Sequence, residues 1–90
     1  MSEAYEVSWA PSAKRDLSKL PEKVATAAVE FIYGGLAGNP KRVGRELHLE
    51  LSGLHSARRG DFRIIYRIDD ERHRVVVTVI DHRSDVYRRR

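Results

Sequence analysis

The chain has 90 residues, enough for one domain with a modest core and too few for a second domain or a deep cofactor pocket. It carries 17 Lys and Arg against 13 Asp and Glu, a formal net charge of +4, and a basic balance of this kind favours an anionic partner. No cysteine is present, which excludes disulfides, thiol catalysis and cysteine-based zinc sites.

Met1-Ser2-Glu3-Ala4 shows no basic segment followed by an apolar stretch, so no signal peptide is expected. The longest apolar run, Val75 to Ile80, is too short to span a bilayer. A cytoplasmic location without membrane contact is expected.

Tyr5 to Ala10 alternates, with Tyr5, Val7 and Trp9 on one side and Glu6 and Ser8 on the other, which predicts a half-buried strand. Pro11 ends it and suits the first turn of a helix reaching about Leu20, with Leu17 and Leu20 on one side. A second helix is predicted from Pro21 to Tyr33, where Val24, Ala28, Phe31 and Ile32 form an apolar stripe. Gly34-Gly35 is expected to terminate it, although Leu36 could continue the stripe. Gly38-Asn39-Pro40 marks a loop. Lys41 to Leu51 has no clear period and is read mostly as loop, with Leu47, Leu49 and Leu51 packing under a sheet.

Three strands close the chain. Leu54 to Arg59 and Phe62 to Ile68 flank a tight Gly60-Asp61 turn, with Phe62, Ile64, Tyr66 and Ile68 on one face and Arg63, Ile65 and Arg67 on the other. Asp69 to Arg72 turns the chain again, and Val75 to Ile80 reads as a central strand. The order β-α-α-β-β-β argues an α+β fold. In it an N-terminal strand and a helical hairpin pack on a small, mainly antiparallel sheet, the hairpin covering one face. The other face would carry the arginines.

Beyond Lys41 every fixed positive charge is an arginine, whose planar fork matches two phosphate oxygens at once. An arginine-rich genome would produce the same ratio, so placement decides. Arg63 lies inside a strand where an apolar residue would pack more easily, and Arg58 and Arg67 should share its neighbourhood. Cations converging without carboxylates cost stability, and an anion at the site would offset that cost. His82, Arg83 and Tyr87 follow the last strand; taken singly, His82 and Tyr87 each read as edge packing. Ser84, His82 and Asp85 lack the turn that exposes a nucleophilic serine. Asp69, Asp70 and Glu71 read as a solvated turn, and His48, His55, His73 and His82 show no zinc spacing, so neither metal nor cofactor is expected.

The string Leu54-His55-Ser56-Ala57-Arg58-Arg59-Gly60-Asp61-Phe62-Arg63-Ile64-Ile65-Tyr66-Arg67, followed by His82-Arg83-Ser84-Asp85-Val86-Tyr87, resembles the RelE toxins of the RelE/ParE superfamily, and among them the mycobacterial RelE-type toxins. Ala13-Lys14-Arg15-Asp16-Leu17, Leu20-Pro21, Asn39-Pro40 and Arg42-Val43-Gly44 extend the resemblance over nearly the whole chain. It implies a RelE/ParE-like, microbial-RNase-like fold and the toxin of a type II toxin–antitoxin pair. Such a toxin cuts mRNA at the ribosome without a metal and is held by a cognate RelB/Phd-like antitoxin in a hetero-oligomer. Carried over residue by residue, the resemblance makes Arg63 the group that stabilises the transition state. Arg83, Arg58 and Tyr87 join it as catalytic candidates, and Arg59, Arg67, His82 and Ser56 as substrate contacts. Tyr87 and His82 both remain candidates for proton transfer. Where the best-known members carry strand lysines, this chain has Leu54 and Ser56. A ParE-like inhibitor of DNA gyrase without catalysis and a degenerate RNA-binding homologue are the competing readings.

Overall fold

A computed structural model describes residues 4–82. The elements are β1 (Glu6–Trp9), α1 (Pro11–Ser18), α2 (Glu22–Phe31), α3 (Pro40–Val43), β2 (Arg45–Glu46), β3 (Leu54–Arg59), β4 (Phe62–Asp69) and β5 (Arg74–His82). The strands form one sheet in the order β1-β5-β4-β3-β2. β1 runs parallel to β5 and every other pairing is antiparallel. The mixed α+β architecture expected from the element order is therefore present, with one extra short helix and one extra edge strand.

Ala57, Phe62, Ile64, Tyr66, Val75, Val77 and Ile80 are buried on one face of the sheet, against Ala13, Ala28, Ile32 and Leu36 of the helical layer. Tyr5, Val7, Trp9, Leu17, Leu20 and Val24 pack around this cluster, as their spacing indicated. The glycine pair does not end the second helix. The helix continues through a π-turn, Ile32–Leu36, and on to residue 38. Two glycines cost a helix about 2 kcal/mol. Full burial of Ile32 and Leu36 returns more, at about 1.5–3 kcal/mol each. Ala28, Ile32 and Leu36 repeat every fourth residue, a spacing that drifts around a helix of 3.6 residues per turn. One wider i→i+5 turn brings Leu36 back over the sheet.

The segment read as loop is partly ordered into α3, β2 and a 3₁₀ turn, Leu49–Leu51. Its leucines do not pack under the sheet: Leu47 is half-buried, Leu51 is exposed and Leu49 is 88% exposed. What holds the segment down is Tyr66. From a fully buried position in β4, its hydroxyl donates to the Pro40 carbonyl oxygen at 2.7 Å. It also accepts from the Gly44 backbone N–H. A Cβ at Gly44 would collide with the Tyr66 hydroxyl and lie 2.7 Å from the Ser56 carbonyl oxygen, so only glycine permits this approach.

β5 contains a bulge. Ile65 pairs with Val79 and Tyr66 with Val77, which leaves Thr78 without a partner in the ladder. Thr78 Oγ1 donates to the Ile65 carbonyl oxygen at 3.0 Å, and the Thr78 carbonyl accepts from Ser12 Oγ at 2.6 Å. Beyond the end of β1, Asp16 Oδ2 accepts from the Ile80 backbone N–H at 3.0 Å, so α1 closes the part of the β5 edge that β1 does not reach. The extra residue reverses the alternation: Val75 and Val77 face the helices before it, Ile80 and His82 after it.

A surface latch ties α3 to the β4–β5 turn. Asp70 Oδ2 lies 3.0 Å from Lys41 Nζ, and Asp70 Oδ1 accepts from the Tyr5 hydroxyl at 3.1 Å. The hydrogen bond from Lys41, then that from Tyr5, lowers the Asp70 pKa, while the bond to Asp70 raises that of Lys41.

Tyr66→Phe should leave the Pro40 carbonyl and the Gly44 N–H buried without their partner, lowering stability by about 2 kcal/mol and Tm by roughly 10 °C. Gly44→Ala should cost more. Thermal unfolding of both variants checks this; an unchanged Tm for Tyr66→Phe would contradict the clamp. Burial also pushes the Tyr66 phenol up from 10.0 to about 12. Stability therefore falls as pH rises above 10, where the unfolded chain ionises first, and Tyr66→Phe should flatten that loss.

For the latch, a lowered folded pKa at Asp70 contributes stability above the ordinary value of 3.8 and loses it as pH falls through the lowered value. The raised Lys41 contributes below 10.5 and loses its share as pH rises further. Asp70→Asn should therefore narrow the acid-side decline in Tm while leaving the alkaline loss governed by Tyr66 in place. Wild-type and variant Tm profiles that superimpose in acid would contradict this assignment.

Candidate active site

The β3–β4 hairpin sets the site. Gly60, at φ +59°, opens a two-residue turn, and Arg59 faces Phe62 across it. The next pair along the ladder is then Arg58 with Arg63, followed by Ala57 with Ile64 and Ser56 with Ile65. Ala57, Phe62 and Ile64 are anchored in the core, so Arg58 and Arg63 project side by side from the opposite face. Like charges directly opposed on a sheet face destabilise it by up to roughly 1 kcal/mol.

Beside this pair lies a cleft of about 800 Å³ lined by Arg42, Val43, Gly44, Arg45, Leu47, Ser56, Arg58 and Arg63. Four arginines and one serine line it, and among the described residues no Asp or Glu does. Asp81 stands opposite Arg63 on β5. The ion pairs among the described residues are Lys41–Asp70, Arg72–Asp69 and Arg74–Glu6, and none involves a cleft arginine. Such a set can bind phosphate through paired donors and can stabilise negative charge that builds up on phosphorus.

The residues singled out from the sequence fall into four groups. Arg58, Arg63 and Ser56 meet in the cleft. Arg67 shares their sheet face but lies opposite Leu54, farther along β4, and does not line the cleft. Arg59 is exposed at the hairpin end on the helix side, its guanidinium carbon 5.3 Å from the centre of the Phe31 ring, a cation–π contact. His82 is 7% exposed, opposite Phe62 on the helix-covered face. The Thr78 bulge puts it there; unbroken alternation along β5 would have set it beside the arginines. Arg83 and Tyr87 lie outside the described residues.

Two cleft residues, Arg42 and Arg45, were not anticipated as site residues. Arg42-Val43-Gly44 was visible only as part of the family resemblance, and a two-residue strand leaves no periodic signal. Among the described residues no three His, Asp or Glu side chains gather as metal ligands, and no helix is long and apolar enough to cross a membrane.

The comparisons with known proteins agree with this architecture. A family model described as the ParE toxin of the type II toxin–antitoxin system, parDE, matches residues 7–87. The chain is 54% identical to Toxin RelE of Mycobacterium tuberculosis over 84 residues, covering 93% of this chain and 87% of that protein. It is 52% identical to Toxin RelG of the same organism over 85 residues, covering 94% and 98%. The toxin–antitoxin complex RelBE2 from Mycobacterium tuberculosis contains a chain that superposes with a TM-score of 0.88 at 50% identity, covering 91% of this chain and 94% of that one. A match over nearly the whole length, at identities above one half, shows that the chain belongs to the RelE/ParE family of toxins of type II toxin–antitoxin systems.

Proposed function

We propose that this toxin is a ribosome-dependent mRNA endoribonuclease, its 90 residues acting as one domain in the cytoplasm. The observation that carries the reading is the opposition of Arg58 and Arg63 in a cleft that no Asp or Glu lines among the described residues. That arrangement costs stability when empty and is neutralised by a phosphodiester.

The reaction is attack by an RNA 2′-hydroxyl oxygen on the adjacent phosphorus. The bond to the 5′-oxygen of the next nucleotide breaks, leaving a 2′,3′-cyclic phosphate and a 5′-hydroxyl. The nucleophile arrives with the substrate, so the enzyme supplies positioning, proton transfer and charge stabilisation. Arg63, with Arg58 opposite it and Arg83 from the segment after β5, stabilises the negative charge of the pentavalent phosphorane. Ser56 and Arg67 contact the strand along the same face. Proton transfer falls to Tyr87, because His82 faces the helical layer. Arg59 contributes at the hairpin end through general attraction to phosphate.

The relatives named RelE and RelG, at 54% and 52% identity, favour this reading. The matching family model, described by ParE, favours the second: inhibition of DNA gyrase by binding alone. In either case a cognate RelB/Phd-like antitoxin encoded alongside would hold the toxin inactive, as the RelBE2 complex suggests by similarity.

Arg63→Ala should reduce cleavage of ribosome-bound mRNA by roughly 100-fold or more, the scale of losing one donor to a developing oxyanion. Its Tm should stay close to wild type, because the lost repulsion from Arg58 is offset by the lost attraction to Asp81 on the other side. Cleavage at the wild-type rate by a folded Arg63→Ala protein would rule out this mechanism.

A further inference from the structure

We propose that Arg42 and Arg45 form a second phosphate-binding pair, which grips the phosphodiester next to the one held by Arg58 and Arg63 on the same single-stranded RNA. This inference rests on the nuclease reading.

Arg45 stands opposite Ser56, on the same sheet face as the Arg58–Arg63 row and one row away from it. Successive same-face rows lie about 7 Å apart along a strand. That offset sets the second pair beside the first along the strand direction, in line with successive groups of an extended polyanion. The cleft, at about 800 Å³, lies toward the upper end of the roughly 300–1,000 Å³ of small-molecule pockets, so it admits more than a single phosphate.

The arm that carries both residues is held from two sides. Tyr66 clamps Pro40 and Gly44 from the core, and the Leu47 N–H donates to the Leu54 carbonyl oxygen at 2.8 Å to extend the β2–β3 ladder. Within that arm Lys41 is taken up by Asp70, whereas Arg42 and Arg45 have no carboxylate partner among the described residues. Two arginines on a clamped arm, without ion partners among the described residues and lining a cleft that two more arginines line, fit a polyanion with regularly spaced charges. Arg45 also stands directly opposite Ser56, which lines the same cleft.

The test uses single-stranded RNA oligonucleotides with a 2′-deoxy sugar at the cleavage position, so that binding is read without turnover. Affinity is measured over a range of salt concentrations for wild type, Arg45→Ala, Arg42→Ala and Arg63→Ala. For an oligonucleotide with several phosphodiesters, Arg45→Ala should weaken binding roughly tenfold and flatten the plot of log affinity against log salt by about 0.7, the share of one contact. Arg42→Ala should do the same. For a dinucleotide with a single phosphodiester, both variants should bind like wild type, while Arg63→Ala loses binding to both ligands.

Unchanged affinity and slope in Arg45→Ala and Arg42→Ala on the longer strand, with binding lost in Arg63→Ala, would overturn the second pair and leave the nuclease reading standing. Equal losses on both ligands would also overturn it, because the arm would then act on the first phosphate. Wild-type binding that does not respond to salt would defeat both readings.

Discussion

The site depends on the register of one hairpin. Phe62, Ile64 and Tyr66 are held in the core, and a strand that buries alternate residues has no freedom over the direction of the others. A slip of one residue between β3 and β4 would bury Arg63 and expose Ile64, which no redistribution of surface charge could offset. The Gly60 turn and the core together therefore oppose Arg58 to Arg63. Tyr66 extends the same logic outward. Its ring belongs to the core and its hydroxyl holds the segment carrying Arg42 and Arg45, so the second wall of the cleft is referenced to the strand that carries Arg63.

The electrostatics run against stability. The ion pairs among the described residues sit on the latch, the β4–β5 turn and the sheet edge, and none of them includes a cleft arginine, although Asp81 stands opposite Arg63 on β5. A protein selected for stability alone would intersperse acidic residues among them. Concentrated positive charge in a concave site attracts polyanions and raises association rates at low ionic strength.

Much of the architecture was legible in the residues. The strand boundaries at Leu54 and Arg59, the Gly60-Asp61 turn and the alternation from Phe62 to Ile68 follow from period-two patterning and turn chemistry. Three features were hidden for separate physical reasons. The π-turn depends on burial of Leu36, a tertiary gain that outweighs the local glycine penalty. The short strand β2 exists only through its pairing with β3. The bulge at Thr78 leaves no mark in a β-branched run, yet it moves His82 from the arginine face to the helical face. Of the four cleft arginines, the two on long strands were found and the two on the arm were not.

The central claim is that the paired arginines serve RNA cleavage. The most direct measurement is to express the toxin without its antitoxin and map RNA 5′ ends and DNA breaks in the same cells. New 5′-hydroxyl ends inside translated regions, phased by codon, are the predicted result. Double-strand DNA breaks with mRNA left uncut would contradict it and favour gyrase as the target.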